Sequence, residues 1–468
     1  MYRVKRNADG TIERYKGHLV AKGFSQRPGL DFTEVFAPTA RQASIRLILA
    51  LAAIEDLHLR SIDISHAFIN GELKEEIYME QPEGFQELGP EYVCKLGRSL
   101  YGLRQAARVW NKKLHGTLTT MGFKRLDSDR SIYLYVRDDV RIIMPVIVDD
   151  MTLASKSQSA LDNFVKELGQ HYELRDLGPT SFFLGIEITR DRPNRTISLC
   201  QRQYILNMLE RFKLTDCNSV LTPMDPGQRL DASMAPSTPD EVEFMRRTPY
   251  LSAVGALMYL AITTRPDITN AVSILARFNS NPGPIHWKAV KHLFRYLKGT
   301  MELKLVYKPT TSSELFTSFC DADHGGSKDN GRSTGGYLIK VGSGAVSWSS
   351  KLQPLVALST TEAEYIAAVE AGKEIVWMRN ILGEFGYPIS SPSTLYIDNQ
   401  SAISVAKNPE HHGRIKHLDL RYYWLRDAVE AGLIAPQHIR TDDMAADILT
   451  KPLPRAKVEI CRKLMGLE

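Results

Sequence analysis

Two carboxylates in succession, Asp149 and Asp150, lie between the apolar runs 141–148 and 151–154. Adjacent like charges on an apolar hairpin are costly without a counter-ion. Phosphoryl transfer, in turn, needs two divalent cations about 3.5–4 Å apart, held by carboxylates, to activate an attacking hydroxyl and stabilise the leaving oxygen. A tight turn also favours aspartate for bonding its own backbone, so the pair alone leaves a catalytic and a structural role open. Asp63 is a third acid in a similar setting. It ends the apolar run 59–64 and precedes Ala67-Phe68 and the turn Asn70-Gly71.

Four more acids stand out one at a time, and their spacing alone does not group them. Asp321 closes the strand-like run 315–320, and Asp398 closes 394–397; an acid just past an apolar strand projects at a sheet edge or begins a turn. Ser359-Thr360-Thr361-Glu362 has the pattern of a capping box, which gives Glu362 a structural role. Glu364 lies about 200° around the same helix, beside the stripe Tyr365, Ala368, Val369, Gly372 and Val376, and is the one expected to face the core. Asp442 and Asp443 suit a helix N-terminus after a Thr441 cap, whereas Asp447, a turn further on, gains less there.

The elements that must position these acids follow from local pattern. Residues 2–21 read as two strands joined at Asp9-Gly10. A mostly apolar helix is expected at 41–58, a strand at 60–64, a helix at 106–121, and two strands folded about Asp149-Asp150. A helix near 159–169, a strand at 182–189 and a strand-helix unit at 196–212 follow. Pro223, Pro226, Pro236 and Pro239 among Ser, Asp and Thr mark 216–241 as a linker. Residues 248–308 are helical, with Pro266 at a first helical position. Strands resume near 314, with helices at 360–384 and 441–449.

At 468 residues the chain is too long for one ordinary core. Hydrophobic residues at 43% and charged residues at 24% give a globular profile, and no apolar run approaches the roughly 20 residues of a membrane span, so no membrane partner is expected. Cys94, Cys200, Cys217, Cys320 and Cys461 form no CxxC pair, which argues against a disulfide framework or zinc site and fits a reducing compartment. The net charge of +5 says little; local clusters say more. Arg3, Lys5, Arg6, Arg14, Lys16 and Lys22 crowd the first hairpin. Lys288, Lys291, Arg295 and Lys298 recur at helical spacing opposite the apolar face Trp287, Val290, Leu293, Phe294 and Leu297. Such stripes suit a polyphosphate partner, or are simply a solvated face.

Several longer runs then carry a family resemblance. Ser61-Ile62-Asp63-Ile64-Ser65-His66-Ala67-Phe68-Ile69-Asn70-Gly71, continuing to Tyr78-Met79-Glu80-Gln81-Pro82-Glu83-Gly84-Phe85, resembles the first catalytic motif of copia-type retrotransposon reverse transcriptases. Ser99-Leu100-Tyr101-Gly102-Leu103-Arg104-Gln105-Ala106 resembles their template and nucleotide segment, Ile147-Val148-Asp149-Asp150 their YVDD box, and Leu177-Gly178 through Phe183-Leu184-Gly185-Ile186-Glu187 their primer grip. Further on, Phe319-Cys320-Asp321-Ala322-Asp323, Ser359 to Tyr365, Tyr396-Ile397-Asp398-Asn399-Gln400-Ser401 and Met444 to Leu453 resemble, in order, the four motifs of the copia-type RNase H domain. Ile147 stands where the family usually has Tyr, His18 where an arginine is common, Ala107 where a proline is common, and His324 where Trp is usual.

The resemblance implies an α+β and α/β multidomain fold. It comprises reverse-transcriptase fingers and palm over 1–215, a linker and helical thumb or connection region over 216–312, an RNase H-like domain with a mixed central sheet over 313–455, and a C-terminal tail over 456–468. It also implies that Asp63, Asp149 and Asp150 hold two Mg2+ ions, with Mn2+ as a substitute. Asp321, Glu364, Asp398 and Asp447 would hold another pair that directs water at the RNA strand of an RNA–DNA hybrid, marked by its 2′ hydroxyl. Phe68 takes the position that crowds a 2′ hydroxyl, Tyr101 and Arg104 line the incoming dNTP, and Lys16 and Lys22 are weaker triphosphate contacts. Lys288, Lys291, Arg295 and Lys298, with Arg414 and Lys416 of the strip His411-His412-Gly413-Arg414-Ile415-Lys416-His417, become candidate contacts to nucleic acid. The implied partners are an RNA template, a DNA primer and a parent polyprotein with capsid, protease and integrase parts. The implied setting is a cytoplasmic virus-like particle with access to the nucleus. A start inside a strand fits a fragment of something longer. The competing expectation is a truncated relic that keeps only RNase H activity or nucleic-acid binding.

Overall fold

The computed structural model describes residues 2–6, 11–87, 89–311, 314–407 and 423–468. The Asp9-Gly10 turn and the strip around His411 and His417 lie outside the described residues. The strands Tyr2–Arg6 and Ile12–Gly17 pair antiparallel as expected. The chain forms two compact units, and they do not follow linear boundaries: one takes the chain up to Arg41 with Leu57–Thr180, the other Gln42–Asp56 with Ser181–Glu468. Both mix helices with antiparallel or mixed sheets.

The first unit is built on a six-stranded antiparallel sheet in the order Leu174–Pro179, His58–Ile64, Asp150–Ser155, Val140–Ile147, Ile132–Arg137, Lys124–Arg125. Two helices supply its apolar cover. Ala106–Thr120 turns Ala106, Trp110, Leu114 and Leu118 to one side, four residues apart, as an amphipathic helix must. Gln158–Leu168 buries Leu161, Phe164, Val165 and Leu168, and the Ser157 hydroxyl caps it by accepting from the Ala160 N–H at 3.1 Å. Ile62, Ile64, Met144, Val146, Met151 and Leu153 meet these stripes in one core. Alternation along the strand therefore sends Asp63 to the other side of the sheet.

In the second unit the helix Gln42–Glu55 is buried without interruption from Ala43 to Ala53. A helix that is apolar all round belongs in a core. It lies against the strands Gly344–Leu352 and Thr196–Cys200. Its one buried cation, Arg46, rests over the Trp348 ring at 3.8 Å and donates to the carbonyls of Val346 (2.7 Å), Ile262 (2.6 Å) and Thr263 (2.8 Å). The helices Arg202–Arg211, Tyr250–Thr263, Thr269–Ala276 and Pro284–Gly299 share a second apolar cluster. A four-stranded sheet runs Phe182–Phe183, Ile186–Asp191, Thr196–Cys200, Leu305–Tyr307. A five-stranded mixed sheet runs Gly344–Leu352, Thr334–Val341, Phe316–Ala322, Ser393–Ile397, Ile434–His438; its first three strands are antiparallel and its last two pairings parallel. The helix Thr360–Glu384 packs on its central strand.

Several local expectations need correction. The strand at 182–189 is a hairpin, Phe182–Phe183 and Ile186–Asp191, turned at Leu184 and Gly185 with φ of 51° and 74°. Residues 441–449 form two short 3-10 turns, Thr441–Asp443 and Ala445–Leu449, rather than one α-helix. Thr441 is no cap, because its hydroxyl is used elsewhere. Residues 456–468 are no tail: Arg455–Met465 is a helix that buries Val458, Cys461 and Met465, and the Gly466 carbonyl accepts from the Val306 N–H at 2.8 Å. Glu362 is as buried as Glu364, at 2% and 6% exposure, since its carboxylate accepts from the Leu358 N–H at 2.8 Å and need not reach water. The five cysteines are free, and no described helix is long and apolar enough to cross a membrane.

Candidate active sites

The hairpin Val140–Ile147 and Asp150–Ser155 turns through Val148 and Asp149, with Ile147 paired to Asp150. Val148 adopts φ 59°, a left-handed conformation that a β-branched residue enters at a cost of about 1–3 kcal/mol. What holds it is Trp110, buried in the helix, whose indole N–H donates to the Val148 carbonyl at 2.7 Å. The adjoining strand sets Asp63 directly opposite Asp150, and the Ile64 N–H donates to the Asp149 carbonyl at 3.1 Å. Backbone pairing thus brings Asp63, Asp149 and Asp150 onto one small patch. Their side chains are half-buried.

Around this patch stand two aromatic rings. Phe68, in the 3-10 turn Ala67–Asn70, meets Tyr101 edge-on at 4.8 Å, and Tyr101 meets His18 at 5.1 Å. The Tyr101 hydroxyl is pushed above its ordinary pKa by burial, then by the negative charge of Asp149 and Asp63. Arg104 is less available than expected: its Nε donates to the Gly23 carbonyl at 3.0 Å and its guanidinium lies 5.5 Å from the Phe32 ring. Lys22 is exposed and 3.7 Å from Glu80. The Lys16 side chain lies outside the described residues.

The second set forms in the five-stranded sheet. Asp321 sits on its central strand, and the parallel pairing of Phe319 with Tyr396 carries Asp398 alongside. Glu364 arrives from the helix Thr360–Glu384, and its Oε1 accepts from the Ala322 N–H at 3.1 Å. One carboxylate oxygen from each of Asp321, Glu364 and Asp398 lies within 4.8 Å of the others. This is the spacing of a single hard cation bound by oxygen. Among the described residues no other such group forms, so Asp63, Asp149 and Asp150 are adjacent but not gathered to single-ion distance.

The electrostatics of the three acids suit a cation. Glu364 Oε2 is buried without a hydrogen-bond partner. The Asp321 and Glu364 carboxyls are both pushed well above the ordinary carboxylate range, first by burial. For Glu364 the charges of Asp321 and Asp398 add to this. Buried like charges with an orphaned oxygen fit a divalent ion, which supplies the compensation that water cannot.

Asp447 does not join the three. Its Oδ1 lies 2.7 Å from Lys451 and its Oδ2 3.1 Å from Lys457, while Lys451 also reaches Asp321 at 3.3 Å. Two hydroxyls steady the set: Thr441 donates to Asp398 at 3.1 Å, and Thr450 donates to Asp321. These partners, like Trp110, are absent from the sequence-based site. A signal existed for Lys451, four residues after Asp447 and able to pair with it on one face of a turn. Local pattern marked Thr441 only as a helix cap, and it did not mark the side chains of Thr450 or Trp110.

The basic face of Pro284–Gly299 is partly consumed. Arg295 Nε donates to the Asn218 carbonyl at 2.7 Å, and Lys298 donates to those of Thr215 and Cys217 at 2.5 and 2.8 Å. Lys288 stays exposed and Lys291 half-buried. Lys288, His292 and Arg295 line a cleft of about 460 Å³ with Asp225, Gly227 and Gln228. Arg414 and Lys416 lie outside the described residues.

Comparison with known proteins adds a relationship. A family described as reverse transcriptase (RNA-dependent DNA polymerase) matches residues 1–226. The retrovirus-related Pol polyprotein from transposon TNT 1-94 of Nicotiana tabacum is 43% identical over 469 residues, covering 100% of this chain and 35% of the relative. The Pol polyprotein from transposon RE1 of Arabidopsis thaliana is 38% identical over 468 residues, covering 100% of this chain and 31% of its own. A putative transposon Ty5-1 protein of Saccharomyces cerevisiae is 36% identical over 316 residues, covering 67% of this chain and 100% of its own. The chain therefore spans about a third of the two Pol polyproteins.

Proposed function

The chain belongs to the family of copia-type retrotransposon Pol polyproteins, in their reverse transcriptase region, and on that premise we propose that it is an RNA-directed DNA polymerase joined to an RNase H. The observation that carries the reading is that acids from distant parts of the chain meet twice, once in each compact unit. In this reading residues 1–215 are fingers and palm, 216–312 the thumb or connection region, and 313–455 the RNase H-like domain.

Asp63, Asp149 and Asp150 hold the polymerase metals, and Asp321, Glu364, Asp398 and Asp447 those of the nuclease. When bound, two Mg2+ or Mn2+ ions at each site supply the positive charge that activates the attacking oxygen and stabilises the leaving one. The chain's own groups do the positioning. The Trp110 indole fixes the turn that presents Asp149; Phe68, braced on Tyr101, crowds a 2′ hydroxyl and so favours dNTPs. Lys288 and Lys291 are the helix cations left for a phosphate backbone, and Arg414 and Lys416 are further contacts to the hybrid. The template is RNA, the primer DNA, and the parent a polyprotein with capsid, protease and integrase parts. The setting is a cytoplasmic virus-like particle with access to the nucleus.

The test is primer extension on poly(rA)–oligo(dT) with magnesium, run beside cleavage of an RNA–DNA hybrid. Both activities are expected; loss of both in a folded chain overturns the proposal. Cleavage alone supports a second reading, a nuclease with a silent polymerase half, which Ile147 in place of the family's usual Tyr favours.

A further inference from the structure

Asp447 is clamped rather than open. Lys457 is a fixed side of the clamp, because its ammonium also donates to the Thr441 and Asp442 carbonyls at 2.6 and 2.8 Å. Lys451 is the other side, and it alone spans two acids: 2.7 Å to Asp447 Oδ1 and 3.3 Å to Asp321 Oδ2. Both carboxylates are shut from solvent at 2–3% exposure, whereas the Lys451 side chain is 38% exposed. The ammonium thus occupies the place that a cation bridging Asp321 and Asp447 must take, and it has a way out to water.

Charge points the same way. Four carboxylates are balanced by two ammoniums and one divalent ion. A second divalent ion adds two positive charges beyond that balance, and it also competes with Lys451 for the same oxygens. An arriving phosphodiester resolves both difficulties: it brings negative charge, and it gives a half-exposed lysine a new partner at short range.

We infer that Lys451 is a latch on the second cation position of the nuclease site, closed in the free protein and released by nucleic acid. The inference rests on the nuclease reading given above. Without nucleic acid the Asp321–Glu364–Asp398 group takes one divalent ion. Lys451 swings toward the backbone of a bound hybrid, and only then do Asp321 and Asp447 accept the second. Lys451 is on this account a positioning residue that makes metal loading depend on substrate.

The experiment is manganese binding, followed by the loss of the free-ion EPR signal, on the full chain carrying Asp149→Asn and Asp150→Asn to silence the other acids. One tightly bound ion per chain is expected. Lys451→Met should raise this to two, or tighten the second ion by at least about tenfold, while Lys451→Arg, which keeps the cation, stays at one. A non-cleavable 2′-O-methyl RNA–DNA hybrid should raise the Lys451 parent to two, an arm that needs no change at Lys451. A parent that binds two ions without hybrid overturns the latch, as does Lys451→Met binding like the parent or a hybrid that adds no ion. If instead Asp398→Asn leaves the first ion's binding unchanged, the metal site itself fails, a distinct result.

Discussion

The two sets of acids solve the same electrostatic problem by different routes. Asp63, Asp149 and Asp150 are brought together by backbone pairing at a tight turn, remain half-buried, and are not drawn to single-ion spacing. Asp321, Glu364 and Asp398 come from two strands and a helix, converge within 4.8 Å, and have hydroxyls and a lysine arranged around them. The first site is a matter of register, so it depends on what holds the turn. The second is a matter of tertiary convergence, so it depends on the core that sets helix against sheet.

The sharpest break of this comparison is to remove one acid from each side. Asp149→Asn should abolish extension and spare hybrid cleavage, and Asp398→Asn should do the reverse, each by at least about a thousandfold, the scale of several kcal/mol of lost charge stabilisation. One substitution that silences both activities in a folded chain would merge the two sites into one.

Next in size is a change in the scaffold. Arg46 precedes Asp63 in sequence, yet it is buried in the unit that holds the second set, where three carbonyls and the Trp348 ring depend on it. Arg46→Ala should lower the stability of that unit by about 2–4 kcal/mol, measured by denaturant unfolding followed by Trp fluorescence. For the same reason a fragment of residues 313–455 should not fold by itself. A stable, cleaving fragment would refute the dependence on Gln42–Glu55.

A subtler cut falls on the turn. Trp110→Phe keeps the ring's bulk and deletes the N–H that holds the Val148 carbonyl. Extension should fall about tenfold, in line with one lost buried hydrogen bond, while hybrid cleavage stays unchanged.

The smallest expected effect is a pH dependence confined to the second set. Asp321 and Glu364 titrate above the ordinary carboxylate range in the fold. Metal-free folded protein therefore binds more protons than the unfolded chain just above a pH of about 4, and stability falls as pH rises from there through the folded pKa values. A divalent ion should oppose the fall. Melting temperatures with EDTA and with manganese, compared from pH 4.5 upward, measure it; identical curves would show that these acids carry no buried repulsion.

Much of this architecture was legible one element at a time. The helices at 106–120 and 360–384 announce themselves by apolar spacing, and the Asp149-Asp150 turn by two apolar strands around it. These are local signals, and the physics that produces them is local. Glu362 misled because its capping role was read as exposure; a carboxylate satisfied by the Leu358 N–H can be buried. Nor did the pattern of Arg295 and Lys298 show that both would donate to backbone carbonyls of residues 215–218, since cations at helical spacing carry no sign of such distant partners.

Residue order by itself determined which segments become helix or strand, which acids end strands, and which family the chain joins, because propensity, periodicity and motif are properties of neighbouring residues. Only the tertiary structure decided that Gln42–Glu55 leaves its neighbours for the other unit, that three of four acids meet while Asp447 is held by two lysines, and that a tryptophan steadies a strained valine. Those outcomes depend on burial and charge balance between residues up to hundreds of positions apart, and no stretch of sequence carries that sum within itself.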